Sequence, residues 1–430
     1  MVVSVTGARG FLGQRLVRAL VAAGHRVVCA VRDGPGRAPN VEGPVSHIFA
    51  DFARDQSPVA WLPHLTGVDA VVNAAGLFRQ TRTAPFADVH VRGPCALFTA
   101  CAKAGVARVV QISALGADEA ARSAYHLSKK EADDFLLRLP LASAAVAQPS
   151  LVYGSGGTSA RFFTRLASLP LVPLPAGGGQ PVQPIHVDDA VAALVRLVED
   201  PRVTGRVALV GPRPVSVREW LAALRAGLRL GPARFVPVPA PLMGAAAHLV
   251  GRWPGSLLDP DTWRMLQRGN TAPAQATSAL LGRPPRPVED FIAPEEARAT
   301  RREAQLSTGL ALLRGSIAAV WIWTGIVSLG LYPASLSFEL LARAGVPEAW
   351  RPAMLYGAAG LDLALGLATL MPWRPRWLWL AQGTLILFYT VVISVRLPEY
   401  WLHPYGPVLK NLPILAALAL LHALDEAPER

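Results

Sequence analysis

One break constrains the fold of this sequence more than any other feature: near residue 305 a mixed composition gives way to almost uninterrupted apolar sequence. Charged residues are absent from 315–338 and from 377–395, and Asp362 is the only one within 352–373. A charge-free run of about 18 residues or more matches the hydrocarbon core of a bilayer. The sequence therefore predicts a water-soluble N-terminal part followed by a membrane-spanning C-terminal part.

The same change in composition sets the predicted domain boundaries. A nucleotide-binding domain is expected at 1–292, with a substrate lobe at about 150–292 where proline and glycine are frequent. A charged juxtamembrane linker or amphipathic helix at 293–306 and a membrane domain at 307–430 are expected to follow. Four transmembrane helices are predicted at about 308–331, 353–372, 377–396 and 407–424. The alternative, core helices of a large soluble domain, would require burying several long charge-free runs without lipid.

Net charge and cysteine content exclude two classes of function. The formal net charge is +12, but the basic residues are scattered rather than clustered on one face, so we do not expect nucleic-acid binding. Cys29, Cys95 and Cys101 lack the spacing of metal ligands, so we expect no metal site and reduced thiols. Because a strand is predicted from Val2 and no signal peptide precedes it, the nucleotide-binding domain is expected in the cytoplasm.

Short β-branched runs alternate with helical segments in the first 150 residues. The predicted strands are 2–6, 26–31, 68–73, 106–113 and 144–148, and the predicted helices are 11–23, 94–104 and 124–139. This alternation is typical of an α/β protein with a doubly wound parallel sheet of the Rossmann type. Two further helices, at about 189–199 and 217–228, are expected in the substrate lobe.

A glycine-rich turn follows the first predicted strand and opens the first predicted helix. Gly7, Gly10 and Gly13 allow a tight turn, a close approach of the backbone to a pyrophosphate, and close packing of helix on strand. The helix N-terminus would face the anionic ligand. The predicted cofactor-binding loop comprises Gly7, Arg9, Gly10, Phe11, Leu12 and Gly13.

The ends of the next strands suggest which dinucleotide binds. Arg32 stands where a site specific for NAD usually carries an acid, and an arginine suits the 2′-phosphate of NADP. NADP is therefore favoured and NAD stays possible; Arg32 could also be a solvated arginine at a strand end. Other predicted cofactor contacts are Asp51 and Phe52 near the adenine, and Ala74, Ala75 and Gly76 at the end of a strand.

Ser113, Tyr125 and Lys129 form the predicted catalytic set. Tyr125 and Lys129 are four residues apart, so both project from one face of the predicted helix. The lysine ammonium would lower the pKa of the phenol and make Tyr125 a usable acid or base. Ser113 ends the preceding strand. A purely structural pairing of Tyr125 with Lys129 is the alternative.

These residues resemble the short-chain dehydrogenase/reductase superfamily, specifically extended and atypical members related to the reductase-like accessory subunit of respiratory complex I. The resemblance covers about 1–292 and rests on the segments 6–13, 73–76, 125–129, 148–154 and 185–189, together with Ser113. It implies that Tyr125 donates the proton, Ser113 orients the substrate and Lys129 binds the nicotinamide ribose. Through the segment 148–154, it adds Pro149 to the predicted cofactor contacts.

One position departs from the family pattern. His90 replaces an asparagine that supports a proton relay in relatives. His90 could keep a water-linked relay or only fill the space. Atypical relatives often lose the tyrosine or the lysine, so the presence of both favours an active enzyme.

The C-terminal part resembles the DoxX-like membrane family, some of whose members are associated with quinone-linked electron transfer. The resemblance rests on 321–325, 360–366 and 403–413. Asp362 lies within a predicted transmembrane helix, where a carboxylate is a functional candidate; its expected partner is Arg314 or Lys410. A structural contact that ties two helices together is the alternative.

Together these features predict a membrane-anchored NAD(P)H-dependent oxidoreductase acting on a lipophilic carbonyl, alcohol or quinone-like substrate. One alternative is an NADP-stabilised scaffold or assembly factor for a respiratory or quinone-linked complex, and another is an enzyme similar to sugar-nucleotide epimerases and dehydratases. The expected location is the inner, cytoplasmic membrane, with the nucleotide-binding domain and both termini in the cytoplasm. The expected partners are the bilayer, a small lipophilic substrate, and either a respiratory complex or a second copy of the chain.

Overall fold

The computed structural model describes residues 1–32, 42–251, 256–371 and 375–425. The chain divides into two compact units, Met1–Arg302 and Glu303–Arg430, called here the α/β unit and the helical unit. Residues 372–374, at the end of the second predicted transmembrane helix, lie outside the described residues.

A parallel seven-stranded sheet organises the α/β unit. The strands of this unit are β1 (Val2–Thr6), β2 (Arg26–Val31), β3 (Val45–Phe49), β4 (Ala70–Asn73), β5 (Arg108–Ile112), β6 (Ala144–Pro149), β7 (Val152–Tyr153), β8 (Leu171–Pro175), β9 (Pro181–Val182), β10 (Ile185–His186), β11 (Gly205–Leu209), β12 (Val215–Ser216) and β13 (Arg234–Val238). The sheet has the order β11-β6-β5-β4-β1-β2-β3. The order reverses beside β1, and ligands of open parallel sheets bind at such a point.

The α-helices among the described residues of the α/β unit surround or follow this sheet. They are α1 (Phe11–Ala22), α2 (Pro58–Trp61), α3 (Gly93–Ala104), α4 (Ala124–Arg138), α5 (Thr158–Ser168), α6 (Val187–Glu199), α7 (Val217–Gly227), α8 (Ala240–Val250), α9 (Pro260–Arg268) and α10 (Gln275–Leu281). The predicted doubly wound fold is confirmed, because helices alternate with parallel strands as the sequence pattern indicated.

The central strands are buried on both faces. All four residues of β4 and all five of β5 are buried, and most of them are apolar, as expected of parallel strands covered on both faces. One core cluster joins β1 to α1 and α6 through side chains such as Leu16, Leu20 and Leu194. This packing fixes the carboxyl ends of the central strands, where the predicted site residues lie.

The substrate lobe has a separate hydrophobic core and three short two-stranded sheets. Trp220 is fully buried in that core, and the ring of Tyr153 stacks on Phe291 with 5.2 Å between the centroids. Fully buried Asp189 accepts hydrogen bonds from the Arg283 guanidinium at 2.5 Å and from the backbone N–H of Arg286 at 2.6 Å. These bonds attach the segment after α10 to the start of α6.

The remaining helices form most of the helical unit. They are α11 (Ala297–Ile326), α12 (Ala334–Arg343), α13 (Arg351–Leu370), α14 (Trp377–Arg396) and α15 (Asn411–Leu424). Three segments among the described residues are long and apolar enough to cross a membrane: Ala297–Leu331, Glu348–Leu370 and Trp377–Arg396. The fourth predicted transmembrane helix corresponds to α15, which is apolar and has 14 residues.

Buried hydrogen bonds connect the helices of this unit. The indole N–H of Trp321 donates to Gln382 Oε1 at 2.8 Å, and the amide of Gln382 donates to Thr369 Oγ1 at 2.8 Å. Arg314 bonds Asp425 at 2.5 Å. Among the described residues, Asp362 forms no ion pair with Arg314 or Lys410, so the expected pairing is not formed.

Candidate nucleotide-binding and catalytic site

The glycine loop lies against the end of β4. Gly7 has a φ of +65°, and a Cβ added there would lie 2.6 Å from the carbonyl carbon of Ala74 and the nitrogen of Ala75. A Cβ on Gly13 would lie 2.1 Å from the carbonyl oxygen of Gly7. Both positions therefore require glycine. Within the described residues no side chain caps α1, so its first N–H groups are free to bind an anion.

The other loop residues combine packing with predicted cofactor contact. The Phe11 ring lies under the guanidinium of Arg15, with 4.5 Å from Cζ to the ring centroid, and Leu12 packs against the main core. The backbone carbonyl of Arg9 accepts a hydrogen bond from Gln14 at 2.7 Å. The side chains of Phe11 and Leu12 are therefore used in packing. Their backbone atoms are left for the predicted contact with the cofactor.

A chain of buried side chains ties together the ends of β1, β4 and β5. The hydroxyl of Thr6 donates to Asn73 Oδ1 at 2.5 Å, and the Asn73 amide donates to Gln111 Oε1 at 2.7 Å. Asn73 Oδ1 also accepts from the backbone N–H of Ala75 at 3.2 Å. Thr6, Asn73 and Gln111 are not among the site residues predicted from the sequence. Their sequence signal is a polar residue at or next to the carboxyl end of a buried strand.

The residues expected near the adenosine differ in exposure: Arg32 is at the surface, whereas Phe52 is buried. Arg32 is exposed at the end of β2. Asp51 Oδ1 accepts the N–H of Ala53 at 3.0 Å, so its side chain shapes a turn. Phe52 is buried and its ring contacts Trp61, with 5.3 Å between centroids. The Phe52 ring therefore belongs to the core, and its assignment to the cofactor site stays a prediction.

Lys129 lies at the carboxyl ends of β4 and β5. Its ammonium donates to the carbonyl oxygens of Ile112 at 3.1 Å and Ala75 at 3.5 Å. A Cβ on Gly76 would lie 2.9 Å from Lys129 Nζ, so Gly76 leaves room for the ammonium. Burial lowers the pKa of Lys129 to about 8, while the charge of Asp133 opposes that shift.

Ser113 is paired with a carboxylate that is not among the predicted site residues. Its hydroxyl donates to Asp133 Oδ2 at 2.5 Å, and Asp133 is fully buried on α4, four residues after Lys129. Burial raises the pKa of Asp133 to about 6, although the hydrogen bond from Ser113 and the charge of Lys129 act in the opposite direction. The sequence signal for Asp133 is its spacing: it follows Lys129 by four residues and therefore lies on the same face of the predicted helix.

Tyr125 lies in an aromatic cluster. Its ring centroid is 5.5 Å from Phe78, 6.0 Å from Phe86 and 5.7 Å from His90. Burial first, and the charge of Asp133 second, raise the pKa of Tyr125 to about 12. The expectation that Lys129 lowers this pKa is therefore corrected: the ammonium bonds carbonyl oxygens, and burial dominates.

His90 is held by hydrogen bonds on both ring nitrogens. Nε2 accepts the backbone N–H of Leu77 at 2.9 Å, and Nδ1 is 2.9 Å from the hydroxyl of Ser128, which donates to the carbonyl of Tyr125. Because Nε2 accepts, the proton of the neutral ring lies on Nδ1. Burial, then Lys129, lower the pKa of His90 to about 3. His90 thus links the segment after Gly76 to α4 as a neutral group.

Pro149, the last predicted cofactor contact, ends β6. It is buried, and its carbonyl accepts the backbone N–H of Leu115 at 2.9 Å. The structure therefore brings the glycine loop, the 74–76 segment and Lys129 together at the carboxyl edge of the sheet. Ser113 joins them through Asp133 and not through a bond to Tyr125.

Two family models match the chain. Residues 3–211 match the NAD dependent epimerase/dehydratase family, and residues 318–419 match the DoxX-like family. Ceramide reductase from Caulobacter vibrioides is 32% identical over 255 residues, which cover 59% of this chain and 78% of that protein. Subunit 9 of the NADH dehydrogenase [ubiquinone] 1 alpha subcomplex of Arabidopsis thaliana is 28% identical over 284 residues, or 62% of this chain and 68% of that protein.

Solved structures show the same fold at lower identity. A nucleoside-diphosphate-sugar epimerase from Staphylococcus aureus superposes with a TM-score of 0.56 at 17% identity, covering 68% of this chain and 99% of its own. An NADPH-dependent quinone oxidoreductase from Escherichia coli, complexed with NADPH, gives a TM-score of 0.54 at 18% identity, with coverage of 68% and 98%.

The fold and the matches define an NAD(P)-binding enzyme of the epimerase and reductase class. This chain belongs to the NAD dependent epimerase/dehydratase family and carries a DoxX-like domain at 318–419. The predicted relationship to short-chain dehydrogenase/reductases, complex I subunits and DoxX-like proteins is confirmed. The chain is thus an NAD(P)-dependent protein of the epimerase and reductase class with a DoxX-like domain and apolar helices long enough to cross a membrane.

Proposed function

We propose that this protein is a membrane-anchored, NADPH-dependent oxidoreductase that acts on a lipophilic carbonyl, alcohol or quinone-like substrate, with Tyr125 as acid or base. The observation that carries the proposal is the position of Lys129. Its ammonium bonds the carbonyl of Ile112 at 3.1 Å, beside the glycine loop and on the same helix as Tyr125. A cationic donor at this strand edge suits the ribose and nicotinamide end of a dinucleotide.

The residues present fit NADP. The close approach of Gly7 to Ala74 and the uncapped N-terminus of α1 suit a pyrophosphate. Arg32 at the end of β2 is exposed and suits a 2′-phosphate, which supports NADP over NAD. When bound, the nicotinamide supplies or accepts a hydride.

Tyr125 suits the role of proton donor. With a pKa near 12, the phenol keeps its proton at neutral pH and can give it to a carbonyl oxygen as that oxygen gains charge. The Phe86 ring packs edge-on beside the phenol, with 6.0 Å between the centroids. Because the hydroxyl of Ser113 donates to Asp133, its oxygen can accept a hydrogen bond from the hydroxyl of an alcohol substrate, whereas a carbonyl oxygen has no donor to offer it.

A lipophilic substrate is supported by the surroundings of Tyr125. Phe78, which contacts the Tyr125 ring, is 47% exposed and offers an apolar surface beside the phenol. The relative named ceramide reductase is a second indication of a lipid substrate. The apolar helices of the second unit would hold the enzyme where such substrates dissolve.

Tyr125→Phe tests this proposal. The full chain in lipid nanodiscs would be assayed for NADPH oxidation with a panel of long-chain aldehydes, ketones and quinones. Loss of the proton donor should reduce turnover by roughly 10²-fold or more while NADPH affinity is kept. Tyr356→Phe, an exposed tyrosine of the helical unit, is the matched control. Turnover unchanged in Tyr125→Phe, or absent for every substrate with the wild type, would contradict the proposal.

We further infer that the α/β unit and both termini lie in the cytoplasm, with the helices in the inner membrane. The sequence carries Arg374 and Arg376 without an acid between the second and third predicted transmembrane helices. An arginine-rich loop favours the cytoplasmic side. With four transmembrane helices, both ends of the chain would lie on that side.

A second candidate function is a cofactor-stabilised scaffold for a respiratory or quinone-linked complex. The observation that favours it is the pairing of Ser113 with Asp133, which leaves Ser113 without a hydrogen bond to Tyr125 in the described structure. The subunit relatives at 28% identity are a further indication. A stable partner that co-purifies equally with wild type and Tyr125→Phe would support this role. Migration of the protein alone in mild detergent would count against it.

A further inference from the structure

The helical unit contains a partly open cavity of about 340 Å³. Helices α11, α13, α14 and α15 all contribute to its walls, which are mainly aliphatic, with Ile317, Val320, Ile386 and Ile414 among them. A pocket of this size with mostly apolar walls and few polar groups is typical of a small-molecule site.

One charged group lines this cavity. Asp362 is only 6% exposed, and its Oδ1 has no hydrogen-bond partner among the described residues. Two of the polar side chains that line the cavity are engaged elsewhere: the Ser316 hydroxyl donates to the Leu313 carbonyl at 2.8 Å, and the Asn411 amide donates to Thr390 Oγ1 at 2.8 Å. The hydroxyl-bearing side chains of Thr324 and Tyr389 also line it. A buried carboxylate without a donor is costly, more so within lipid.

We infer that this cavity binds a lipophilic molecule that carries a hydroxyl group, whose O–H donates to Asp362. A carboxylate accepts hydrogen bonds only, so the ligand must supply the donor. The aliphatic walls select an apolar body, and a neutral hydroxyl enters an apolar cavity at a lower desolvation cost than a cation. This site lies wholly in the helical unit, involves no nicotinamide chemistry and does not rest on the proposed oxidoreductase activity.

Binding of tritiated 1-dodecanol to the full chain in phosphatidylcholine nanodiscs tests the inference. We expect saturable binding that unlabelled 1-dodecanol displaces. Dodecyl methyl ether, which lacks the donor, and dodecanoate, which carries a like charge, should compete at least about 10-fold less well, the factor that corresponds to about 1.4 kcal/mol. Equal competition by alcohol and ether would overturn the inference. Preferential displacement by dodecylamine would also overturn it, because it would define a cation site.

Matched variants locate the site. Asp362→Asn should weaken dodecanol binding at least about 10-fold, whereas Glu348→Gln, which removes an exposed carboxylate at the start of the same helical segment, should leave it unchanged. Ala417→Phe fills the cavity while keeping Asp362 and should also abolish binding. NADPH affinity should stay constant in all three variants. Full dodecanol binding by both Asp362→Asn and Ala417→Phe would show that the alcohol binds elsewhere.

Discussion

Asp133 connects the three predicted catalytic residues electrostatically. It accepts a hydrogen bond from the hydroxyl of Ser113, raises the pKa of Lys129 against the effect of burial, and raises the pKa of Tyr125. Sequence spacing correctly predicted that Tyr125 and Lys129 share α4. It could not predict the direction of the Tyr125 pKa shift, because burial and the position of Asp133 arise only in the folded chain.

His90 provides a pH-dependent test at the scale of a residue. Its pKa falls from an ordinary 6.5 to about 3 on folding, so the unfolded chain takes up a proton first as the pH drops. The contribution of neutral His90 to stability is present above pH 6.5 and is lost as the pH falls towards 3. The pKa of Asp133 is raised from 3.8 to about 6 on folding, so the folded chain takes up this proton first. Between pH 6 and 3.8 Asp133 therefore makes the chain more stable as the pH falls.

We therefore expect His90→Asn to lose less stability than the wild type between pH 6.5 and 4. At pH 7.5 the variant should itself be less stable by about 1 to 3 kcal/mol, because the backbone N–H of Leu77 and the hydroxyl of Ser128 lose their partner. Thermal unfolding of the full chain, followed by circular dichroism across this range, gives the comparison. Exposed His248→Asn is the control. Parallel pH curves for wild type and His90→Asn would refute the assignment.

At the scale of elements, the sequence pattern found the centre of the sheet better than its edges. The bounds of β1 and β2 agree with the prediction, whereas β3 and β11 were not predicted. These are the two edge strands, each with one neighbour, and their sequences mix apolar with polar or small residues. An edge strand buries less of each face, so its apolar run is weaker. Helix α12 was also not predicted; it lies between the first and second predicted transmembrane helices.

The glycine loop between β1 and α1 can be tested as an element by substituting Gly7. Gly7→Ala would place a methyl group against the backbone at the end of β4, so we expect loss of NADPH binding as well as lower stability. Gly24→Ala is the matched control: its φ is +85°, so it imposes similar backbone strain, but no atom lies within 4 Å of the added methyl group.

Both variants should lose about 1 kcal/mol of stability to the positive φ, and only Gly7→Ala should lose the cofactor. The comparison is made by NADPH fluorescence titration of the full chain beside its thermal unfolding midpoint. Retention of wild-type affinity by Gly7→Ala would show that the loop does not approach the dinucleotide.

The whole molecule combines two units of different composition. Their division between Arg302 and Glu303 falls inside the charged linker predicted at 293–306. Composition identified the apolar helices because a bilayer demands long runs without charge. It could not show that Asp362 lines a cavity, since that depends on how four helices pack.

Membrane topology depends on the shortest of the four predicted transmembrane helices. Helix α15 has 14 residues and, at about 1.5 Å per residue, is shorter than a hydrocarbon core of about 30 Å. If it nevertheless crosses, aided by a local thinning of the bilayer, residue 406 and the end of the chain lie on opposite sides. We expect this crossing, because it returns the C-terminus to the side of the α/β unit.

Fusions of a periplasm-active phosphatase after residues 345, 376, 406 and 430 test the topology. The proposed arrangement predicts activity at 345 and 406 and none at 376 and 430, and fusions of a cytoplasm-active fluorescent protein should give the inverse pattern. The fusion at 376 also tests the side assigned to the arginine-rich loop. The fusion at 345 is its control, because it lies before α13 and is expected on the opposite side of the membrane. The same reporter result at 406 and 430 would mean that α15 lies within one face of the membrane, and the two ends of the chain would then be separated by the bilayer.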